Sequence, residues 1–129
     1  MPGETILIVD DEALICASFE RELSAKGYLV DTALNGAAAL EAVTKKKYDL
    51  ALIDKNMPGM DGIETCRAIK KISPETVLIF MTGFFDKENI LKEKQFVDAG
   101  GRTFHLYKPF AAGEVQGVIL KALSERGTV

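Results

Sequence analysis

Four apolar, strand-like segments of this sequence end in carboxylate, hydroxyl or ammonium side chains, which are common in catalytic and metal-binding sites. Asp10 and Asp11 follow the first segment, Asp54 ends the third, and Thr82 and Lys108 end the fourth and fifth. Where helices cover both faces of a parallel sheet, ligands collect beyond the carboxyl ends of the strands. Three carboxylates at one such edge would repel one another, and a bound hard cation such as Mg²⁺ would relieve that repulsion. A strand-terminal Asp by itself is a weaker signal, because it often caps the following turn.

Strand and helix patterns alternate along the chain, so we predict an α/β fold. Five strand–helix units favour a five-stranded parallel sheet with helices on both faces, and right-handed crossovers restrict it to doubly wound arrangements. The flavodoxin-like strand order 2-1-3-4-5 brings the first and third strands together, and with them Asp10, Asp11 and Asp54. The predicted strands are 5–9, 28–32, 49–54, 76–81 and 102–107, and the predicted helices are 12–26, 35–46, 61–72, 86–99 and 112–126.

Length, charge and cysteine content exclude several classes of protein. The 129 residues fit one domain, which we predict to span 1–129. A net charge of −3 provides no basic surface for nucleic acid. No apolar run approaches the ~18 residues of a membrane span, and the amino terminus does not resemble a secretion signal. Cys16 and Cys66 lie far apart without metal-ligand spacing, which predicts two reduced thiols in a cytoplasmic protein.

Four short motifs give this chain a resemblance to a known family. They are Ile8-Val9-Asp10-Asp11-Glu12, Ile53-Asp54 with Met57-Pro58-Gly59-Met60-Asp61-Gly62, Phe80-Met81-Thr82-Gly83, and Tyr107-Lys108-Pro109-Phe110. Each motif alone is moderately specific, but their order and spacing over the whole chain are highly specific. The sequence resembles the receiver domains of two-component response regulators. This resemblance implies a phosphorylation-activated signalling switch, not an enzyme, that promotes its own phosphorylation and dephosphorylation.

The resemblance also implies which residues accept phosphate and which hold a metal ion. Asp54 would accept a phosphoryl group from the phosphohistidine of a sensor histidine kinase or of a phosphotransfer protein. Asp11, Asp54 and the backbone carbonyl of Asn56 would bind Mg²⁺ or Mn²⁺, and Asp10 would act largely through coordinated water. Phosphoryl transfer depends mainly on in-line positioning and on neutralising charge, and such a set of groups is suited to both.

The other implied roles concern the phosphoryl oxygens and the output of the signal. Thr82 and Lys108 would contact those oxygens, and a cis peptide would follow Lys108 at Pro109. Family members signal through the fourth helix, fifth strand and fifth helix, a face through which two copies can also pair. Here the segment from Thr82 to Lys108 is a few residues longer than usual, and His105 stands where the family usually has a Tyr or Phe switch residue. We therefore expect Thr82 and His105 to form the switch.

Three other interpretations remain open from the residues. A haloacid-dehalogenase-like phosphatase also uses a strand-end Asp with Mg²⁺, but it needs a second acid two residues later, where this chain has Asn56. A flavodoxin has the same strand order, but its phosphate loop would fall where Asp10, Asp11 and Glu12 repel phosphate. A module that docks without being phosphorylated would keep the fold, although the complete acidic set argues against it.

Overall fold

The computed structural model describes residues 3–54, 62–83, 105–108, 117 and 119–123, of which 62–63, 80–83 and 105–108 are described by their backbone. Its strands pair in parallel in the order β2-β1-β3-β4-β5. The predicted flavodoxin-like α/β class, with a parallel sheet and flanking helices, is confirmed. The strands are β1 (Thr5–Val9), β2 (Leu29–Ala33), β3 (Leu50–Asp54), β4 (Val77–Gly83) and β5 (His105–Lys108).

Local signals in the sequence correctly predict two of the helix boundaries. Asn35 caps its helix, because its side-chain oxygen accepts a hydrogen bond of 2.8 Å from the backbone N–H of Ala38. Gly27 has a φ of 95°, a left-handed conformation that glycine adopts without strain just beyond a helix end. The helices are α1 (Ala13–Ser24), α2 (Gly36–Lys45) and α3 (Gly62–Ile72), and residues 119–123 are also helical.

Several predicted elements fall wholly or partly outside the described residues. The helix predicted at 86–99 lies outside them, and so do residues 102–104 of the last predicted strand. Of the last predicted helix, 112–126, residues 112–116, 118 and 124–126 also lie outside the described residues. The start predicted for the first helix is one residue too early, because Glu12 has extended dihedral angles and serves as the N-cap of α1. In the part of the chain that the structure describes, no helix has the length and apolar character needed to cross a membrane.

The core has two layers, one on each face of the sheet. Alternate residues of a strand point to opposite faces, so β1 contributes to both layers. One layer packs α2 and α3 against the sheet, and the other packs α1 and residues 119–123 against the opposite face. The first layer includes Leu7, Val9, Ala39, Val43, Ile53, Cys66 and Ile69, and the second includes Ile6, Ile8, Cys16, Phe19, Leu23, Leu52, Ile119 and Ala122.

Polar side chains tie the strands together at the amino-end edge of the sheet, where the parallel strands begin. Asp49 accepts hydrogen bonds from the backbone N–H and the hydroxyl of Thr5, at 2.8 Å and 3.1 Å. The buried Thr76 hydroxyl donates to the carbonyl of Tyr48 at 2.8 Å. The Lys70 ammonium donates to the Thr76 carbonyl at 2.6 Å. The bonds of Thr5 with Asp49 and of Thr76 with Tyr48 join segments that are far apart in sequence, and they hold the strands together at that end of the sheet.

Candidate functional site

The turn after β1 is held by hydrogen bonds on several sides. The backbone N–H of Asp10 donates to the carbonyl of Ala33 at 3.0 Å, which extends the β1–β2 pairing by one residue. The wholly buried Asp10 side chain accepts a 3.0 Å hydrogen bond from the backbone N–H of Glu12. The thiol of Cys16, on α1, donates to the carbonyl of Asp10 at 3.3 Å. The position of Asp10 is therefore set by the sheet, by its own turn and by α1.

This turn gathers three carboxylates, which we name the acidic cluster. Asp10, Asp11 and Glu12 each have a carboxylate oxygen within 4.8 Å of those of the other two. Asp10 is buried, whereas Asp11 and Glu12 are exposed. Like charges this close repel one another, and a cation bound between them relieves the repulsion. Because every donor is a carboxylate oxygen, the cluster suits a hard ion such as Mg²⁺.

The membership of the acidic cluster differs from the predicted ligand set. The structure brings together the predicted ligands Asp10 and Asp11, and it adds Glu12, which is not among the predicted ligands. The available signal was a third acid directly after the other two. Within the described residues, the carboxylate of Asp54 is not part of this group of oxygens, and Asn56 lies outside them.

Asp54 ends β3 at the same edge of the sheet, next to the strand that carries the acidic cluster. Its side chain is buried, with 6% of its surface exposed. Val9 pairs with Ile53 in the β1–β3 register, so Asp10 and Asp54 are the next residues along two neighbouring strands. The prediction that these two carboxylates come from adjacent strands is therefore correct at the level of the backbone.

Thr82 and Lys108 lie farther along the same edge, on β4 and β5. Asp54 pairs with Met81, so Thr82 comes one residue beyond the level of Asp54. Lys108 is the last residue of β5 and pairs with Gly83. The carboxyl-end edge thus carries, from one strand to the next, the acidic cluster, Asp54, Thr82 and Lys108.

His105 begins β5 and occupies a different level of the sheet from Lys108. It pairs with Phe80, two residues before Thr82 along β4. The predicted cis peptide at Pro109 and most of the lengthened segment from Thr82 to Lys108 lie outside the described residues.

The two cysteines provide no nucleophile for this site. Both Cys16 and Cys66 are buried and neither is in a disulfide, as the sequence predicts for reduced structural cysteines. Burial raises the pKa of the Cys66 thiol to about 11, so it remains protonated at neutral pH. A carboxylate at the sheet edge is therefore the better candidate for covalent chemistry.

Comparisons with known proteins agree with this geometry. A family described as the response regulator receiver domain matches residues 6–120. Sporulation initiation phosphotransferase F of Bacillus subtilis (strain 168) is 37% identical over 123 residues, which cover 95% of this chain and 96% of that protein. The transcriptional regulatory protein ZraR of Klebsiella oxytoca is 35% identical over 96% of this chain, which spans 28% of that regulator.

Solved structures give the same result for the fold and the family. A CheY-like receiver domain protein from Methanospirillum hungatei JF-1 aligns with a TM-score of 0.87 and 29% identity, covering 96% of both chains. The chemotaxis protein CheY4 of Vibrio cholerae aligns with a TM-score of 0.84 and 28% identity, covering 93% of this chain and 98% of that one. Given the family match over most of its length and the matched relatives, this chain belongs to the response regulator receiver domain family.

Proposed function

We propose that Asp54 is the phosphoacceptor of this receiver domain and takes its phosphoryl group from a phosphohistidine. Receiver domains are phosphorylation-activated switches of two-component systems, so the family implies a histidine kinase or a phosphotransfer protein as the partner. The observation that carries the assignment is the position of Asp54. It is a buried carboxylate at the carboxyl end of β3, one strand away from the acidic cluster.

In the proposed reaction, a carboxylate oxygen of Asp54 attacks the phosphorus of the phosphohistidine. The new O–P bond forms as the P–N bond breaks, and the imidazole nitrogen keeps the electron pair of the broken bond. Little other covalent chemistry is needed, because phosphoryl transfer depends on positioning and on stabilising charge. The Thr82 hydroxyl would donate to one phosphoryl oxygen, and the Lys108 ammonium would pair with another.

The proposed cation ligands are Asp10, Asp11, Asp54 and the backbone carbonyl of Asn56. The all-oxygen composition of the acidic cluster supports this assignment, and Glu12 adds a third carboxylate there. When bound, Mg²⁺ or Mn²⁺ would supply positive charge to the phosphoryl oxygens. The role of the acidic side chains is to hold that charge beside Asp54.

The wider proposal concerns the extent of the domain and its output. Residues 1–129 would form a single receiver domain with the complete five-stranded sheet. It would promote its own phosphorylation and dephosphorylation in the cytoplasm. It would signal through the predicted fourth helix, β5 and the last helix, either to a partner or output domain or by pairing with a second copy. The Bacillus relative covered over 96% of its length is named a phosphotransferase, which supports a phosphorelay partner for this chain too.

His105 is the proposed switch residue that responds to Thr82, because it lies on β5 two residues before the level of Thr82. An imidazole can be charged near neutral pH, and burying a charged ring is costly. Inward rotation of His105 would therefore favour the neutral ring. Phosphorylation-dependent partner binding or self-association should be weaker at about pH 6 than at about pH 8. A His105→Phe variant with the wild-type pH profile at matched phosphorylation would contradict this role.

The phosphoacceptor is tested with a matched pair of Asp variants at opposite ends of β3. Protein incubated with Mg²⁺ and acetyl phosphate should gain the mass of one phosphoryl group. Asp54→Asn should abolish that gain, whereas Asp49→Asn, at the residue just before the amino end of β3, should retain it. Full labelling of the Asp54 variant would contradict the assignment.

The same assay separates the competing functions. A wild-type chain that folds and binds its partner but takes up no phosphoryl group would be a docking module. Sustained turnover of a phosphorylated metabolite would instead indicate a phosphatase.

A further inference from the structure

The side chain of Cys16 makes a buried contact with the backbone of the acidic cluster. Its Sγ atom lies 3.3 Å from the carbonyl oxygen of Asp10, a distance at which a thiol donates a weak hydrogen bond. Cys16 is 3% exposed and Asp10 is fully buried. The contact therefore forms inside the protein, between the first turn of α1 and the end of β1.

This contact is one of several bonds that hold the Asp10 turn. The N–H of Asp10 is bonded to β2 through Ala33, and its side chain accepts from the N–H of Glu12. The Cys16 thiol adds a donor to the Asp10 carbonyl, which faces α1. A buried carbonyl that loses a donor is destabilised, and the peptide unit that carries it gains freedom to rotate.

We propose that Cys16 is a positioning residue of the cation site. By holding the Asp10 carbonyl, its thiol fixes the turn from Asp10 to Glu12, so that the three carboxylates are already gathered before a cation binds. Groups that hold metal ligands in place typically strengthen metal binding, because less of the binding free energy is spent on ordering the ligands. This inference rests on the proposed function, in which the acidic cluster binds Mg²⁺.

The chain contains a matched control for this role. Cys66 is also a buried cysteine outside any disulfide and within a helix, but it lies on α3. It belongs to the core layer on the opposite face of the sheet from Cys16. Replacing Cys66 therefore disturbs a core of similar kind without touching the Asp10 carbonyl.

The test compares wild type, Cys16→Val, Cys16→Ser and Cys66→Val as reduced proteins. The Kd for Mg²⁺ is measured by calorimetric titration with MgCl₂, and the free energy of unfolding is measured separately by urea in EDTA. Cys16→Val should weaken Mg²⁺ binding by about tenfold, the low end for such groups, because a thiol is a weak donor. Cys16→Ser restores a donor and should stay nearer to wild type than Cys16→Val. Cys66→Val should lower stability and leave the Kd unchanged.

Equal Kd values for Cys16→Val and Cys66→Val would overturn the positioning role while leaving the proposed function intact. If Cys16→Val does not fold, the pair Cys16→Ala and Cys66→Ala serves the same comparison, because both remove a thiol without adding volume. Wild-type protein that shows no Mg²⁺ binding at all would overturn the proposed cation site and the role of Cys16 together.

Discussion

Polar groups are arranged differently at the amino-end edge and at the carboxyl-end edge of the sheet. At the amino-end edge, the Asp49 carboxylate accepts two hydrogen bonds from Thr5, and the Thr76 hydroxyl bonds the carbonyl of Tyr48. At the carboxyl-end edge, three carboxylates of the acidic cluster lie within 4.8 Å of one another, and Asp54 ends the neighbouring strand. The amino-end edge pairs acceptors with donors, whereas one turn at the carboxyl-end edge gathers three carboxylates.

The amino-end edge therefore contributes mainly to stability, and the carboxyl-end edge mainly to function. The bonds at the amino-end edge are satisfied within the chain and contribute to stability without any ligand. The carboxylates of the acidic cluster repel one another, and a bound cation would relieve that repulsion. Such repulsion is typical of sites kept for function at a cost in stability. Cavity volume alone does not identify the functional end. A cavity of about 560 Å³ lies at the amino-end edge, where its lining includes Asp49 and Lys70, both already bonded within the chain.

The largest effect on stability is expected at the amino-end edge. Thr76→Val removes a fully buried hydroxyl that bonds both the Tyr48 carbonyl and the Ser73 hydroxyl, at 2.8 Å and 2.7 Å. Leaving such partners unpaired should lower the free energy of unfolding by about 1–3 kcal/mol. Urea denaturation should show the same loss with and without Mg²⁺.

A surface hydroxyl provides the control for that variant. Thr44 is exposed, and its hydroxyl donates to the Leu40 carbonyl within α2 at 2.7 Å. Thr44→Val should change the free energy of unfolding by less than about 0.5 kcal/mol. Equal losses for the Thr76 and Thr44 variants would mean that the amino-end network does not stabilise the fold as described.

A smaller effect is expected from cation binding at the other edge. A ligand that binds only the folded state at about ten times its Kd stabilises the protein by about 1.4 kcal/mol. Millimolar Mg²⁺ should therefore raise the midpoint of thermal unfolding, and EDTA should reverse the rise. Asp11→Ala should shrink the rise, because Asp11 belongs to the acidic cluster. An undiminished rise in that variant would locate the cation elsewhere.

The smallest effect concerns a pair on the β2 side of the sheet, formed by the buried Tyr48 and the half-exposed Asp31. The Tyr48 hydroxyl donates to the Asp31 carboxylate at 2.6 Å. This bond, together with the nearby Lys46 ammonium, lowers the pKa of Asp31 below its ordinary value of 3.8. Because the Asp31 side chain is 45% exposed, solvent screening limits the loss in Tyr48→Phe to less than about 1 kcal/mol.

The pH dependence of that variant follows from the sign of the shift. A group whose pKa is lowered on folding adds stability that is complete above its unfolded pKa and is lost as the pH falls through its folded pKa. The difference in unfolding free energy between wild type and Tyr48→Phe should thus be constant above about pH 5 and should narrow below about pH 4. A difference that widened on acidification would contradict the pairing.

Local signals in the sequence predicted much of the fold. Some signals act over only a few residues and can be recognised in the sequence alone. They are the β-branched run of β1, the Asn35 N-cap and Gly27 at the end of the first helix. The amino-end network was not predicted, because its partners are distant in sequence. Thr5 and Asp49 are 44 residues apart, and Thr76 and Tyr48 are 28 apart.

The candidate site was also predicted only in part, because some of its features depend on contacts that residue types and spacing do not show. Strand-end acids such as Asp10 and Asp54 are visible in the sequence, since strand order brings them to one edge. The inclusion of Glu12 in the acidic cluster depends on how the turn folds around the Asp10 side chain. The link from Cys16 to the Asp10 carbonyl depends on how α1 sits on the sheet. Neither can be read from residue types and spacing alone.

We propose that Asp54, at the carboxyl-end edge of the sheet, is the residue that accepts the phosphoryl group. Chemical identification of the modified residue tests this proposal most directly. Wild-type protein is phosphorylated with acetyl phosphate and Mg²⁺, reduced with borohydride, which converts an acyl phosphate to an alcohol, and mapped by peptide mass spectrometry. We predict homoserine at position 54, and none there when EDTA replaces Mg²⁺. Homoserine at Asp10 or Asp11 with Asp54 unmodified would contradict the account.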